Sequence, residues 1–120
     1  MANYKVYLSD GLNLNMLNIK DSEPDVIRIT KIGISRAKST VSYAKRYNLF
    51  VSAVKNKKIA DALSVILGTE IPVNRSEVKL DELDLLVVAQ LKNKKIPKVL
   101  RKRDLKNLEF EFYFIELYFS

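Results

Sequence analysis

The sequence predicts a small α/β domain with one hydrophobic core. Short segments rich in β-branched and aromatic residues alternate along the chain with stretches of helical periodicity, which is typical of this class. Apolar residues make up 48% of the 120 residues, which is enough for a packed interior. We therefore predict that residues 1–120 form a single α/β domain. The longest apolar runs are too short to span a bilayer, so no membrane contact is expected.

The first half begins with two predicted strands and a helix. Residues 4–8 alternate in hydropathy, and Val26–Ile32 is β-branched, so both are predicted strands. A helix is predicted over residues 35–47, with Ser35 as its cap. Its less polar face would consist of Ala37, Val41, Ala44 and Tyr47.

The next two elements form a strand–helix pair. Residues 49–54 are a short apolar run, which predicts a buried strand. Asn56 is a favourable N-cap, and Gly68 is suited to the C′ position at which a helix ends. Between them, an apolar stripe at helical spacing predicts an amphipathic helix; it consists of Ile59, Ala62, Leu63, Ile66 and Leu67.

The second half is predicted to be richer in strands. Val78 and Leu80 indicate one strand, and residues 83–91 indicate another, joined by Asp81-Glu82. A short helix is expected over residues 101–108, beyond Pro97. Residues 109–119 then form a final strand with apolar residues on both faces, so we expect it to be covered at least partly on both.

The composition excludes several kinds of chemistry. The chain contains no Cys, so disulfides and thiolate catalysis are absent. It also contains no His, which removes the commonest general acid–base group at neutral pH and the commonest metal ligand. With three Gly in total, a Gly-rich phosphate loop is excluded. We expect no metal site and no cofactor.

The charge balance favours a polyanionic partner. The chain has 21 Lys and Arg against 14 Asp and Glu, giving a formal charge of +7. Much of the excess lies between residues 92 and 106, where Asp104 is the one acidic residue. This run could bind nucleic acid, or it could simply be a solubilising surface.

The pentapeptide Lys-Asn-Lys-Lys-Ile occurs twice, at residues 55–59 and 92–96, each time directly after a predicted strand. Two basic clusters at strand ends can converge on one anion, because sites in α/β sheets are built from loops at strand ends. In the first copy, Lys57 and Lys58 would lie beside the open amides of a helix N-terminus, which suits a phosphate. The planar guanidinium of Arg75 can donate two parallel hydrogen bonds to a phosphate. Alternatively, the two basic clusters are simply solvated loops, and Arg75 forms an ion pair with Glu77 instead of binding an anion.

Several segments together resemble the viral ring nuclease family. These are Phe50-x-Ser52-Ala53-Val54, Ala60-x-x-Leu63-x-x-Ile66-Leu67-Gly68 and Pro72-x-Asn74-Arg75-x-x-Val78-Lys79, with the opening segment 6–17 and the run Leu85–Leu91. Members are small type III anti-CRISPR proteins of archaeal viruses, with relatives in phages and bacteria. The resemblance covers most of the chain and is weakest over residues 21–48 and after Pro97.

The resemblance implies a mainly parallel or mixed twisted sheet of about five strands, with helices packed on one face, in a homodimer. It also implies the ligand cyclic tetra-adenylate, held across the dimer axis. A two-fold site suits such a ring because each basic group is presented twice. An intracellular protein acting in the host cytoplasm is expected.

Matching the family's site residue by residue to this chain implies a set of ligand-binding residues, in which the residue at the catalytic position differs from the family's. The family's catalytic His corresponds to Asn56, the preceding Gly to Lys55, and the Arg after the next strand to Lys94; the Glu beyond it has no counterpart. The implied ligand-binding residues are Asp10, Asn13, Asn15, Lys55, Asn56, Lys57, Lys58, Asn74, Arg75, Gln90 and Lys94.

Three functional hypotheses follow. Because Asn cannot act as a general acid, the leading hypothesis is binding of a cyclic oligoadenylate, or of a similar polyanion, without cleavage. In the second, Lys55 or Lys57 replaces the lost acid and the protein remains a ring nuclease. In the third, residues 92–106 bind nucleic acid or a CRISPR effector.

Overall fold

The computed structural model describes residues 4–11, 26–81, 83–92 and 108–118. Five strands and two helices follow one another as β1 (Val6–Ser9), β2 (Val26–Ile32), α1 (Ile34–Arg46), β3 (Phe50–Ser52), α2 (Lys57–Leu67), β4 (Leu85–Leu91) and β5 (Phe110–Tyr118). The predicted α/β class and the sheet of five strands are confirmed. Residues 101–107 of the predicted helix and most of the 92–106 run lie outside the described residues, and Leu108, which is described, is not helical.

The five strands form one mixed sheet in the order β2-β5-β4-β1-β3. The pairs β1–β3 and β1–β4 are parallel, whereas β5 is antiparallel to both β4 and β2. Four strands therefore run in one direction, and β5 alone runs against them. The carboxyl ends of those four strands share one edge of the sheet, which we call the carboxyl edge.

Both helices pack on the same face of the sheet. Their buried residues, such as Val41 and Leu63, join one cluster with Leu8, Val87 and Phe112. The alternate strand residues point the other way and form a second cluster, which consists of Tyr7, Ala53, Leu80, Leu86, Val88, Ile115 and Leu117. β5 contributes to both clusters, which confirms that its two faces are covered at least in part.

Helix α2 begins and ends as its sequence predicts. The Asn56 side chain accepts hydrogen bonds from the amides of Lys58 and Ile59, and Gly68 ends the helix with φ at 69°. A left-handed C-cap of this kind favours glycine because a Cβ is strained there. Both caps follow from chemistry within one turn of the helix.

Three other local predictions are wrong. Helix α1 begins at Ile34, and Gly33 rather than Ser35 is its N-cap, without a side-chain cap. Tyr47 is the C-cap of α1 and is exposed, so it does not belong to the buried face. Leu83 precedes β4 in a left-handed conformation, with its side chain exposed.

The segment around Val78 and Leu80 is not a strand. Leu80 is fully buried in the second cluster, against which Val78 also packs. An extended segment lying across a sheet face buries alternate side chains just as a paired strand does, so alternation alone does not distinguish the two. No helix in the described residues is long and apolar enough to cross a membrane.

Candidate functional site

Six of the predicted ligand-binding residues line one open cavity at the carboxyl edge. The cavity has a volume of about 610 Å³, and we call it the basic corner; its lining consists of Asp10, Lys55, Asn56, Lys57, Lys58 and Arg75. Four of these side chains are cationic and one is acidic. An open, cationic concavity of this size suits a multiply charged anion better than an apolar ligand.

The segments that follow β1 and β3 position most of the corner. Asp10 follows β1 in a turn in which the Ser9 hydroxyl donates to the Gly11 carbonyl over 2.6 Å and accepts from the Gly11 amide over 3.2 Å. Lys55 and Asn56 join β3 to α2. The amide of Ala53 donates to the Leu8 carbonyl over 2.7 Å, which ties the end of β3 to β1. The Asp10 turn and the start of α2 are therefore held at the same edge.

Asn74 does not line the basic corner but holds the neighbouring segment in place through hydrogen bonds. Its amide donates to the Val54 carbonyl over 2.9 Å, and its side-chain Nδ2 donates to the Ser52 carbonyl over 2.7 Å. Its Oδ1 accepts from the amide of Ser76 over 3.0 Å. These bonds fasten the segment that carries Arg75 to the end of β3. Asn74 lies behind the cavity lining, so its role in this structure is to position its neighbour.

Replacing Asn74 with alanine is expected to lower the free energy of unfolding by about 1–3 kcal/mol, because its part-buried hydrogen bond to the Ser52 carbonyl and its exposed hydrogen bond from the Ser76 amide are both lost. Urea denaturation measures this change. Arg75→Ala is the matched control, because the exposed Arg75 forms no ion pair with a described residue and should leave stability within about 0.5 kcal/mol of wild type. Equal destabilisation by both variants would contradict this role.

The Asn56 side chain caps the helix. Its Oδ1 accepts from the Lys58 amide over 2.9 Å and from the Ile59 amide over 3.2 Å. The prediction that open amides at this helix start are available to an anion is therefore wrong for these two groups, since the cap already uses them. Anion binding in the corner would depend on the cationic side chains.

The cations of the corner differ in their partners. The Lys57 ammonium lies 2.6 Å from Oδ1 of Asp61, one turn along α2, and 71% of the Lys57 side chain is exposed. Lys55 and Arg75 are exposed and form no ion pair within the described part of the chain. The predicted alternative for Arg75, an ion pair with Glu77, is not formed. Lys55 and Arg75 are thus the cations best placed to meet an incoming anion.

A second pocket, of about 420 Å³, adjoins the corner on the helix-free face of the sheet. It is lined by Asp10, Gly11, Ile29, Val88, Gln90, Tyr113 and Ile115, and we call it the sheet pocket. Asp10 lines both cavities, so one ligand could occupy both. The structure thus places Gln90 beside the corner rather than in it. Asn13, Asn15 and Lys94 lie outside the described residues.

Sequence reasoning missed the polar group at the rim of the sheet pocket. The Tyr113 hydroxyl donates to the Glu111 carboxylate over 2.7 Å, and the Lys31 ammonium lies 3.6 Å from the same carboxylate. The hydrogen bond from Tyr113, followed by the charge of Lys31, lowers the pKa of Glu111; that hydrogen bond also raises the pKa of Tyr113. Tyr113 therefore stays protonated at neutral pH. Within the described residues, no group of acidic side chains is arranged to hold a metal ion.

Comparison with known proteins places the chain among proteins of archaeal viruses. It is 31% identical over 107 residues to the uncharacterized protein ORF117 of Acidianus two-tailed virus, covering 88% of this chain and 89% of that one. Its fold is similar to that of B116 of Sulfolobus turreted icosahedral virus, with a TM-score of 0.77 at 20% identity, over 93% of this chain and 98% of B116. The model of one family, described as STIV B116-like, matches residues 6–112. The chain therefore belongs to the STIV B116-like family.

Proposed function

We propose that this protein binds a cyclic oligoadenylate, cyclic tetra-adenylate in the first instance, or a similar polyanion in the basic corner, and counters type III CRISPR signalling by sequestering it. The protein would act as a homodimer in the host cytoplasm. Membership of an archaeal viral family supports the biological setting. The ligand and the dimer rest on the resemblance to viral ring nucleases and on the chemistry of the site.

The observation that carries the proposal is the environment of Asn56. The resemblance assigns this position to a catalytic acid, and the N–H of a carboxamide is far too weakly acidic to transfer its proton to a leaving oxygen. Its Oδ1 is occupied by two backbone amides of α2, so the side chain serves the helix. The surrounding cations remain, which favours binding without bond cleavage.

The geometry of the site suits a phosphorylated ring better than a single small anion. The corner is wide and exposed, and it shares the lining residue Asp10 with the neighbouring sheet pocket. A phosphate could meet Lys55 and Arg75 while the Asp10 carboxylate accepts a hydrogen bond from a ribose hydroxyl. A base could then enter the sheet pocket, where Gln90 offers both a donor and an acceptor.

The ring-nuclease alternative with a lysine as the acid is less well supported. A lysine becomes an effective acid near neutral pH when it is removed from water. Lys57 is largely exposed and paired with Asp61, and Lys55 is exposed. No observation on the described residues favours the third hypothesis, binding of nucleic acid or an effector by residues 92–106. Of that run, the structure describes Lys92, which lies 3.9 Å from the Glu109 carboxylate.

Calorimetric titration with cyclic tetra-adenylate tests the proposal. We expect saturable heat at micromolar concentrations, with one ring for each two chains. Linear tetra-adenylate is the matched control ligand. Arg75→Ala is the test variant of the protein. Its matched control is Arg46→Ala, because Arg46 lies in the last turn of α1, at the end of that helix remote from the carboxyl edge. Absence of heat with every cyclic oligoadenylate tested would overturn the proposal.

Replacing Asp61 with asparagine is expected to strengthen binding of the ring. The change releases Lys57 from its 2.6 Å ion pair, so that its ammonium can meet a phosphate. A gain of about 2-fold corresponds to the roughly 0.3–0.5 kcal/mol typical of an exposed charge pair at four-residue helical spacing. Affinity should also fall more steeply with salt than in wild type. A D61N/K57A double variant that binds as tightly as D61N would show that Lys57 is not responsible.

A further inference from the structure

The floor of the sheet pocket comes from three neighbouring strands. Tyr113 of β5 lies opposite Val88 of β4 on one side and Lys31 of β2 on the other, and Ile115 lies opposite Ile29. Ile29, Val88 and Ile115 give the pocket its apolar lining, beside the ring of Tyr113. At about 420 Å³ the pocket can hold a planar ring system, and apolar and aromatic walls of this kind suit a nucleobase.

Tyr113 has one direction of hydrogen bonding left for a ligand. Its hydroxyl donates to Oε2 of Glu111 over 2.7 Å, and the Lys31 ammonium lies 3.6 Å from Oε1 of the same carboxylate. That hydrogen bond and that charge lower the pKa of Glu111, so the carboxylate is ionised at neutral pH and can only accept. The single phenolic proton therefore stays on the side of Glu111, and the Tyr113 oxygen has lone pairs to offer to a ligand.

The other polar side chains that line this pocket leave the choice of base open. Gln90 lies opposite Glu111 in the sheet, and its carboxamide can turn either its donor or its acceptor towards a ligand. Asp10 also lines the basic corner, where a ribose hydroxyl can meet it. Tyr113 is thus the polar group whose direction of hydrogen bonding can distinguish one base from another.

We propose that Tyr113 makes the sheet pocket selective for a base with an exocyclic amino group, as adenine has, because its oxygen accepts a hydrogen bond from that group. A purine without the amino group loses this bond, and a carbonyl oxygen in its place would face the lone pairs of Tyr113. This selectivity rests on the proposed function, since the base belongs to the ring held at the basic corner. It adds the residue that reads the base.

Competition titration with two rings tests the role of Tyr113. The rings are cyclic tetra-adenylate and the corresponding ring of unsubstituted purine, which lacks only the amino groups. One hydrogen bond between neutral groups contributes about 2- to 12-fold in affinity, so wild-type protein should prefer adenine by that factor for each base held in a sheet pocket. Tyr113→Phe keeps the aromatic ring and loses the acceptor. It should bind both rings equally, with the affinity that wild type has for the purine ring.

Glu111→Ala tests the direction of the hydrogen bond. Without this carboxylate the Tyr113 hydroxyl is free to donate to a carbonyl oxygen. Cyclic tetra-inosinate, which carries a carbonyl oxygen in place of the amino group, should therefore gain about 2- to 12-fold in affinity relative to cyclic tetra-adenylate. Lys31→Ala is the matched control, because it breaks the same ion pair but leaves Glu111 to hold the proton, and it should show no such gain.

The possible results separate base selection by Tyr113 from the proposed function. If no ring binds, the proposed function fails and base selection fails with it. If wild type binds the adenine and purine rings equally, or if Tyr113→Phe keeps the preference for adenine, base selection by Tyr113 is overturned while ring binding stands. A relative gain for cyclic tetra-inosinate that is absent from Glu111→Ala, or equal in Lys31→Ala, would also overturn it.

Discussion

Replacing Asn56 with histidine is expected to give the protein ring-opening activity against cyclic tetra-adenylate. As the neighbouring 2′ oxygen bonds to phosphorus and loses its proton to water, the bond from phosphorus to the 5′ oxygen breaks, and an imidazolium at this position would protonate that leaving oxygen. A positioned general acid contributes about 10²–10⁴-fold, so products should accumulate at least about 10²-fold faster than with wild type. Chromatography of single-turnover reactions measures the rate.

The control for this gain is Asn56→Ala. Both variants lose the hydrogen bonds from the Lys58 and Ile59 amides, so both should be less stable by about 1 kcal/mol. Cleavage should appear in the histidine variant alone. It should decline as pH rises through about 6.5, because the acid must be protonated to act. A histidine variant that binds the ring but cleaves it no faster than Asn56→Ala would contradict this account of position 56.

Removing Lys55 and Arg75 together is expected to produce the largest loss of ring binding. Each cation can form a charge-assisted hydrogen bond with a phosphate, worth about 1.5–3 kcal/mol or roughly 10- to 150-fold in affinity. The double alanine variant should therefore bind at least about 10²-fold more weakly than wild type. Calorimetry or competition with a labelled ring measures the change.

The fold of this double variant should be intact, since both side chains are exposed and neither forms an ion pair with a described residue. Arg75→Lys should recover part of the affinity, because lysine keeps the charge and loses the planar fork. Unchanged affinity in the double variant would place the ligand elsewhere on the molecule.

Local chemistry made much of the fold predictable. The caps of α2 at Asn56 and Gly68 depend on residues within one turn, and Val26–Ile32 is bounded by clear changes in composition, so the sequence predicts these features well. The cap of α1 is a different case. Ser35 is chemically a better cap than Gly33, but the helix begins at Ile34, immediately after β2.

The parts of the candidate site that depend on local spacing were predictable from sequence, whereas the part that depends on long-range strand pairing was not. The first Lys-Asn-Lys-Lys-Ile copy begins at Lys55, three residues after β3 ends at Ser52, so its position near a strand end could be inferred from sequence. The ion pair between Lys57 and Asp61 also follows from four-residue helical spacing. The sheet pocket could not be predicted, because it requires β5, the last strand in sequence, to insert between β4 and β2 and bring Tyr113 beside Val88. Such long-range pairing leaves no local signal.

Recovery of bound ligand shows whether the basic corner holds a cyclic oligoadenylate without cleaving it. The protein is mixed with an equimolar amount of cyclic tetra-adenylate for each ring site, freed of unbound ligand by gel filtration, held for several hours, and then denatured to release what it carries. We expect one intact ring for each two chains, and no retained ring in the Lys55/Arg75 double variant. Recovery of linear products, or of no nucleotide at all, would contradict it.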